Sequence, residues 1–416
     1  MIRIGIIGCG RILAAHLRGY RLLREAGVDD FQITALCSRQ ASDAEMYLQR
    51  GNRITQRPAV SELPGDPLAV GDEYLSDFQP DVEVAVFTDY RKLIESGKVD
   101  AVNDYTIHSL HHLIAEHSFA SQLHLMTQKP LAITVAAGQQ MCERAEGADR
   151  ILGVFENARY APGNRHLKWA LEAGLLGRPQ LLLMGNVGSW WVPNRIVANT
   201  PWRHDKMEGG GISLDLGVHH FNAVRFLAGE VTSIQGQVSI QEPKRYQFDA
   251  AGKQLVEVDA DADDTYLASF RSEAGVDGNL FASWSGAGGS TIVGPGVVIH
   301  GSQGRAVGPQ YFDSELNCHE LATLYEEGAS PERKEADFPL GLSDSFSLTQ
   351  YDWLAAIRQQ RPPQTSGREG LRDLACAFSI LESDLAGRRV GVNEVLVGDI
   401  CNYQQTLNDH FNIPGI

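Results

Sequence analysis

The chain has 416 residues, 43% hydrophobic and 21% charged, which is material for two cores of ordinary globular composition. Its 36 Lys and Arg stand against 52 Asp and Glu, and the resulting charge of −16 excludes phosphate-rich partners such as nucleic acids and anionic membranes by repulsion. Six cysteines (Cys9, Cys37, Cys142, Cys318, Cys376, Cys401) form no CxxC pair, which argues against a zinc site and for reduced thiols in a cytoplasmic protein.

Residues 2–7 are a β-branched run ending at Gly8 and read as a buried parallel strand. The run is too short for a signal peptide and is broken by Arg3, and no apolar stretch reaches the length of a membrane span. Residues 11–26 carry Ile12, Ala15, Leu22 and Leu23 at helical spacing, and 31–37 read as a second strand, closing a βαβ unit. Strands at 82–87, 101–105, 123–126 and 151–155 alternate with helices at 93–96, 110–120 and 135–145. This alternation predicts a doubly wound, Rossmann-type domain over 1–155. Residues 51–80, rich in Pro and Gly, read as an excursion from that domain. Beyond 155 the texture changes. Strands at 181–187, 231–240, 265–270, 278–284 and 297–301 follow one another, with helices near 163–173 and 213–227. They predict an open, mostly antiparallel sheet flanked by helices in a substrate-binding and oligomerisation domain over 156–416. The C-terminal helices at 345–361 and 368–386 are candidates to pack back on the first domain.

Gly8-Cys9-Gly10-Arg11-Ile12 closes the first strand and opens the first helix. The first glycine allows a tight turn, and the second lets the backbone approach a pyrophosphate resting on the helix N-terminus. A Gly-x-Gly alone also describes an ordinary turn; inside a βαβ unit it points to a dinucleotide. Leu13 stands where a third glycine is usual and is expected to crowd the turn. The second strand ends in Cys37-Ser38-Arg39, with no acid for the ribose hydroxyls. Ser38 and Arg39 can receive a 2′-phosphate, which favours NADP and leaves NAD open; a plain surface arginine is the alternative. Gln128-Lys129-Pro130 follows the fifth strand, at the carboxyl end where ligands bind, and Lys129 there can serve a substrate hydroxyl or simply be solvated.

Asp215 and His219, after Gly209-Gly210-Gly211, lie four apart on one helix face and can relay a proton. The simpler reading is an Asp favouring the helix dipole and a core histidine. His220 sits one position round the helix and is the weaker candidate. No third ligand accompanies the pair, so no metal is expected. Trp190, Trp191, Asn194 and Arg195 suit a sugar, since an indole packs on the C–H face of the ring while polar groups read its hydroxyls. Neighbours on a strand point to opposite faces, so at most one tryptophan serves; core and interface roles are the alternative. Tyr160 and His108 are further pocket-wall candidates.

Together these segments resemble the Gfo/Idh/MocA family of NAD(P)-dependent sugar and polyol oxidoreductases over nearly the whole chain. The opening IGIIGCGRI resembles its nucleotide turn. VDAVNDYTIHSLH at 99–111 matches another family segment, with Thr106 and His111 in place. Gln128-Lys129-Pro130 matches a Glu-Lys-Pro signature with Gln for Glu, and Asn157-Ala158-Arg159 matches an Asn-x-Arg. Trp202-Arg203, the glycine triplet and Asp215 to His219 match a long "WR…GGG…D-x-G-x-H" block. The resemblance implies that Lys129 contacts the nicotinamide ribose and the reacting hydroxyl. It implies that Asp215 and His219 flank the reacting carbon, with His219 the general acid/base. It places Gly8, Gly10, Arg11, Ile12, Ser38, Arg39, Thr106, His108, His111, Gln128, Asn157, Trp202 and Arg203 on the cofactor side, Arg159 and Tyr160 on the substrate side, and allows a cis Lys129–Pro130 bond.

In such an enzyme the cofactor carries the hydride chemistry and the protein supplies orientation and proton transfer. A free lysine titrates at about 10.4 and a free histidine at about 6.5, so His219 is the natural base near neutrality. Burial of the lysine beside an oxidised nicotinamide reverses that assignment. Two other functions use the same motifs: a redox-neutral, NAD-dependent glycosidase and a non-catalytic NAD(P)-binding sensor. A homodimer or homotetramer is expected, because an open sheet needs a covered face.

Overall fold

The structure is a computed structural model that describes residues 1–51, 59–61, 68–188, 193–249, 251–286, 291–292 and 296–415. Two compact units divide the chain. One comprises Met1–Ala132, Gly138–Pro162 and Glu332–Gly370, the other Ile133–Ala137, Gly163–Pro331 and Leu371–Ile416. The segment 332–370 thus returns to the first unit, a return that one boundary at 155 does not express.

In the first unit, β1 (Ile2–Ile7) and β2 (Phe31–Cys37) are rich in Ile, Leu and Ala, as strands covered on both faces must be. With β3 (Ala85–Phe87), β4 (Ala101–Asp104), β5 (His124–Gln128) and β6 (Leu152–Phe155) they form a six-stranded sheet in the order 3-2-1-4-5-6. Every pairing in it is parallel. The order reverses between β1 and β4, which opens a crevice beyond their carboxyl ends. Helix Leu13–Glu25 turns Leu13, Leu17, Tyr20 and Leu23 inward, each 0% exposed. Each buried leucine there contributes about 1.5–3 kcal/mol relative to exposure. The excursion at 51–80 returns through Gln79, whose amide donates to the Ile33 carbonyl at 2.8 Å and accepts from the Ile33 N–H at 3.0 Å, as a neighbouring strand would.

Helix Ser345–Gln359 belongs to this unit and is capped by Asp344, which accepts from the Ser347 N–H at 2.8 Å. Its Trp353 is 0% exposed and rests on Gly153 of β6, where a Cβ would lie 3.0 Å from the indole. A larger residue at 153 would push the indole off the strand.

The second unit carries a ten-stranded sheet. Its described pairings are antiparallel except one, between Pro179–Val187 and Asp277–Ser283. Helix Gly367–Ala386 lies directly on strand Val231–Ser239, since a Cβ at Gly236 would sit 2.6 Å from the Ile380 carbonyl oxygen. Helix Gly217–Ala228 packs beside it, with the Gly217 Cβ position 3.7 Å from Ala377 and Ile380. These helices cover one face of the sheet. The hairpin Lys244–Phe248 with Gln254–Asp259 is absent from the expected strands; its alternation, Tyr246 with Phe248 and Val256 with Val258, is short and set among charged residues.

Candidate active site

The crevice of the first unit is built by backbone contact. Gly8 has a φ of +101°, and a Cβ there would lie 2.6 Å from the Tyr105 carbonyl oxygen. Only glycine lets β1 turn against the loop after β4. At Gly10 the opposite holds, for an added Cβ meets nothing within 4 Å among the described residues. The helix that follows has no acid in its first turn and no side-chain cap. A helix N-terminus without a side-chain cap, beside an open glycine, fits a pyrophosphate through its positive dipole end. Leu13 corrects the expectation of crowding: it is 0% exposed and turns into the core. Arg11 donates to the Ala59 carbonyl at 2.6 Å, which ties the turn to the excursion. Ser38 is half-buried and Arg39 exposed at the tip of β2.

The loops after β4 and β5 are held together by residues the sequence reading passed over. Asp104, 0% exposed, accepts from the Thr106 N–H at 3.0 Å and the Thr106 hydroxyl at 2.6 Å through one oxygen, and from the Thr127 hydroxyl at 3.1 Å through the other. The signal was present as polar residues at the ends of two otherwise apolar strands. His111 bridges the same loops, with Nδ1 3.0 Å from the Pro130 carbonyl and Nε2 3.3 Å from that of Thr106. The Lys129–Pro130 bond is cis, as the resemblance allows, and Lys129 is half-buried directly after β5. Thr106, His111, Gln128 and Lys129 therefore surround one end of the sheet with Gly8. His108 is buried in the short turn before His111.

Three predicted residues of this unit have other commitments. Asn157 donates to the Ser345 hydroxyl at 3.2 Å. Arg159 pairs with Glu369 at 2.6 Å and reaches the Gln364 carbonyl at 3.3 Å. Tyr160 is 1% exposed, and its hydroxyl donates to Asp352 at 2.8 Å, so it is a core residue and not a pocket wall.

In the second unit, Arg203 lies over the Trp202 ring at 4.4 Å from the centroid, donates to the Thr200 hydroxyl at 2.6 Å and pairs with Asp215 at 3.2 Å. Gly211 has a φ of +108° and would put a Cβ 2.3 Å from Asp263 Oδ1. The other Asp263 oxygen accepts from the Ser213 N–H at 3.0 Å and the Ser213 hydroxyl at 2.7 Å, and burial pushes the Asp263 carboxyl up to about 6. The helix read at 213–227 is two pieces, Ile212–Asp215 and Gly217–Ala228. Asp215 and His219 thus straddle a junction, across which Leu216 donates to Ile212 and His220 to Leu216. His219 is half-buried. His220 is buried with Nδ1 against the Tyr266 hydroxyl, as a core histidine. His204 is buried too; its Nε2 accepts from the Val197 N–H at 3.1 Å, and burial, with nearby Arg245 and Arg203, pushes it down to about 4.

Trp190 and Trp191 lie outside the described residues. Asn194 is half-buried and accepts from the Tyr246 N–H at 2.9 Å; Arg195 is exposed. Among the described residues no group of three His, Cys, Asp or Glu could hold a metal, and no helix is long and apolar enough to cross a membrane.

Two family models match the chain. The first, an oxidoreductase family with an NAD-binding Rossmann fold, matches residues 2–156; the second, a GFO/IDH/MocA C-terminal domain, matches 164–307. Myo-inositol 2-dehydrogenase of Thermotoga maritima is 25% identical over 398 residues, 95% of this chain and 100% of that protein. D-apiose dehydrogenase of Paraburkholderia graminis is 25% identical over 389 residues, 92% of this chain and 88% of that one. An oxidoreductase domain protein from Kribbella flavida shares the fold, with a TM-score of 0.74 at 20% identity over 94% of this chain and 100% of its own.

Proposed function

Because the chain belongs to the GFO/IDH/MocA oxidoreductases, with their NAD-binding Rossmann fold, we propose that it moves a hydride between a nicotinamide and a secondary alcohol or ketone carbon of a sugar, polyol or glycoside. The observation that carries the reading is the conjunction, in one chain, of an open Gly10 at a bare helix N-terminus with Lys129 at the carboxyl end of β5. The activities named for the similar myo-inositol and D-apiose dehydrogenases support the substrate class.

The bound nicotinamide would supply hydride transfer. Gly8 and Gly10 would let the backbone approach the dinucleotide, and the helix N-terminus would hold its pyrophosphate. In the oxidative direction Lys129 donates to the substrate oxygen and stabilises the alkoxide as charge develops there. His219 takes the hydroxyl proton, and Asp215, held by Arg203, orients and balances the imidazolium. Asp104 and His111 fix the loops from which Lys129 projects. Lys129→Met should abolish turnover of every accepted sugar while the fold, read by circular dichroism, is kept. Turnover near the wild-type rate would overturn the role of Lys129. Release of an aglycone with no net reduction of bulk cofactor would show a redox-neutral glycosidase instead of a dehydrogenase.

Exposed Arg39 beside Ser38, with no acid at the tip of β2, supports NADP over NAD. Arg39→Ala should weaken NADP binding in calorimetry by about tenfold or more and leave NAD within about twofold, since a charge-assisted hydrogen bond contributes about 1.5–3 kcal/mol. Equal losses, or tighter NAD binding by the wild type, would refute the preference. The sheet face opposite the helices supports a homo-oligomer: Leu267 there is 55% exposed between Gln237 and Phe281. The wide spacing of the six cysteines, with no CxxC pair, fits a reducing compartment such as the cytoplasm.

A further inference from the structure

The residue before Lys129 has a partner that the proposed chemistry does not use. His16, on the first helix, is 0% exposed. Its ring stacks on Tyr105 at 3.7 Å between centroids and meets Phe155 and Phe346 edge-on. Its Nε2 lies 2.8 Å from Gln128 Nε2, and its Nδ1 has no hydrogen-bond partner among the described residues. The same Gln128 side chain accepts from the Lys129 N–H through Oε1 at 3.3 Å.

These contacts decide where the protons are. A backbone N–H can only donate, so the oxygen of the Gln128 amide must face Lys129. The amide nitrogen then faces His16 and donates, so Nε2 of His16 must be a bare acceptor. The imidazole carries its proton on Nδ1. Turning the amide over would set two N–H groups against each other at Lys129. The groups packed on the ring carry no charge: Phe155 and Phe346 cannot ionise, Gln128 is neutral, and burial holds the Tyr105 phenol well above its usual range. Burial likewise holds His16 well below the usual histidine range.

We propose that Gln128 is a positioning residue whose amide locks His16 as the neutral Nδ1–H tautomer and thereby pins the main chain at Lys129. The pair ties the helix that opens at the nucleotide turn to the residue placed on the reacting oxygen, and it does so without a charge next to Lys129. A carboxylate at 128 could still accept from Lys129, but its second oxygen would face the lone pair of Nε2. His16 would then have to bring a proton to Nε2, either as the other tautomer or as an imidazolium.

The importance of the pinning rests on the proposed role of Lys129; the tautomer does not, and the test separates the two. In selectively ¹⁵N-histidine-labelled protein, assigned by loss of one signal in His16→Gln, His16 should show a protonated Nδ1 and an unprotonated Nε2, with no titration from about pH 5 to 9. In Gln128→Glu the Nε2 of His16 should become protonated. A wild-type Nε2–H tautomer, a titrating His16, or an unchanged tautomer in Gln128→Glu would each overturn the lock. Gln128→Met removes both hydrogen bonds without adding charge and should lower kcat on the order of tenfold, the rate equivalent of one neutral hydrogen bond, with KM for the sugar within about twofold. An unchanged kcat in a variant whose His16 signature is lost would leave the lock standing and refute the pinning. Should Gln128→Glu not fold, the wild-type spectrum and Gln128→Met still decide.

Discussion

Gly8 and Gly10 are two residues apart in one turn, yet alanine at each should fail in a different way. At Gly8 the backbone φ is +101°, and the new Cβ would lie 2.6 Å from the Tyr105 carbonyl oxygen, 2.7 Å from its carbon and 3.0 Å from the Thr106 nitrogen. All three are main-chain atoms held by the Gly8–Cys37 and Tyr105–Ile7 hydrogen bonds of 2.9 and 2.7 Å, so little can yield. An alanine at a sparsely populated φ costs about 1–3 kcal/mol, and forcing atoms into packed backbone costs about 1–3 kcal/mol more. Gly8→Ala should therefore destabilise the protein by about 2–6 kcal/mol. At Gly10 nothing among the described residues lies within 4 Å of the added methyl, so Gly10→Ala should change stability by less than about 1 kcal/mol. That methyl fills the space through which the backbone would meet a pyrophosphate, and cofactor affinity should fall by about tenfold or more. Urea unfolding of the apo variants reads the first effect, and quenching of protein fluorescence by NAD(P)H reads the second. A Gly8→Ala protein as stable as wild type, or a Gly10→Ala protein that binds cofactor normally, would refute the reasoning from space around the turn.

Two further outcomes follow from the second unit. His219→Ala should lower kcat by about 10²–10⁴, the usual span for loss of a general acid or base, whereas His220→Ala should cost about 1–3 kcal/mol of stability through the orphaned Tyr266 hydroxyl and change kcat far less. Equal kcat losses in steady-state assays of the two folded variants would mean the histidines were assigned the wrong way round. The pH dependence of stability has a definite sign at His204: its folded value of about 4 lies below an unfolded value of about 6.5, so the unfolded chain binds the proton first. Its contribution is complete above about pH 6.5 and drains as pH falls toward 4, by about 3 kcal/mol in all. In urea titrations across that window His204→Asn should flatten the slope by about one proton, and an unchanged slope would show that another group controls it.

Much of this protein was legible one residue at a time. The unbroken aliphatic strands, the helical spacing between them and the Gly-x-Gly at the first junction determine a parallel, nucleotide-type sheet, because each is a local rule of pleat, turn and helix end. Lys129 could be placed at the ligand-binding end of β5, and the structure keeps it there. What the sequence left undecided is which polar side chains are already taken. Arg159 and Tyr160 looked available for a substrate, yet Glu369 and Asp352 hold them, about 200 positions away; the return of those helices was expected, but not which side chains it would engage. Asp104 and His16 look like incidental polar residues in apolar runs and prove to organise the loops around Lys129. The choice between His219 and His220 turns on Tyr266, and the tautomer of His16 turns on an amide more than 100 residues further on. Periodicity reports which face of an element is apolar. It carries nothing about the partner that a buried donor or acceptor must find, because that partner is brought there only when the whole chain has closed.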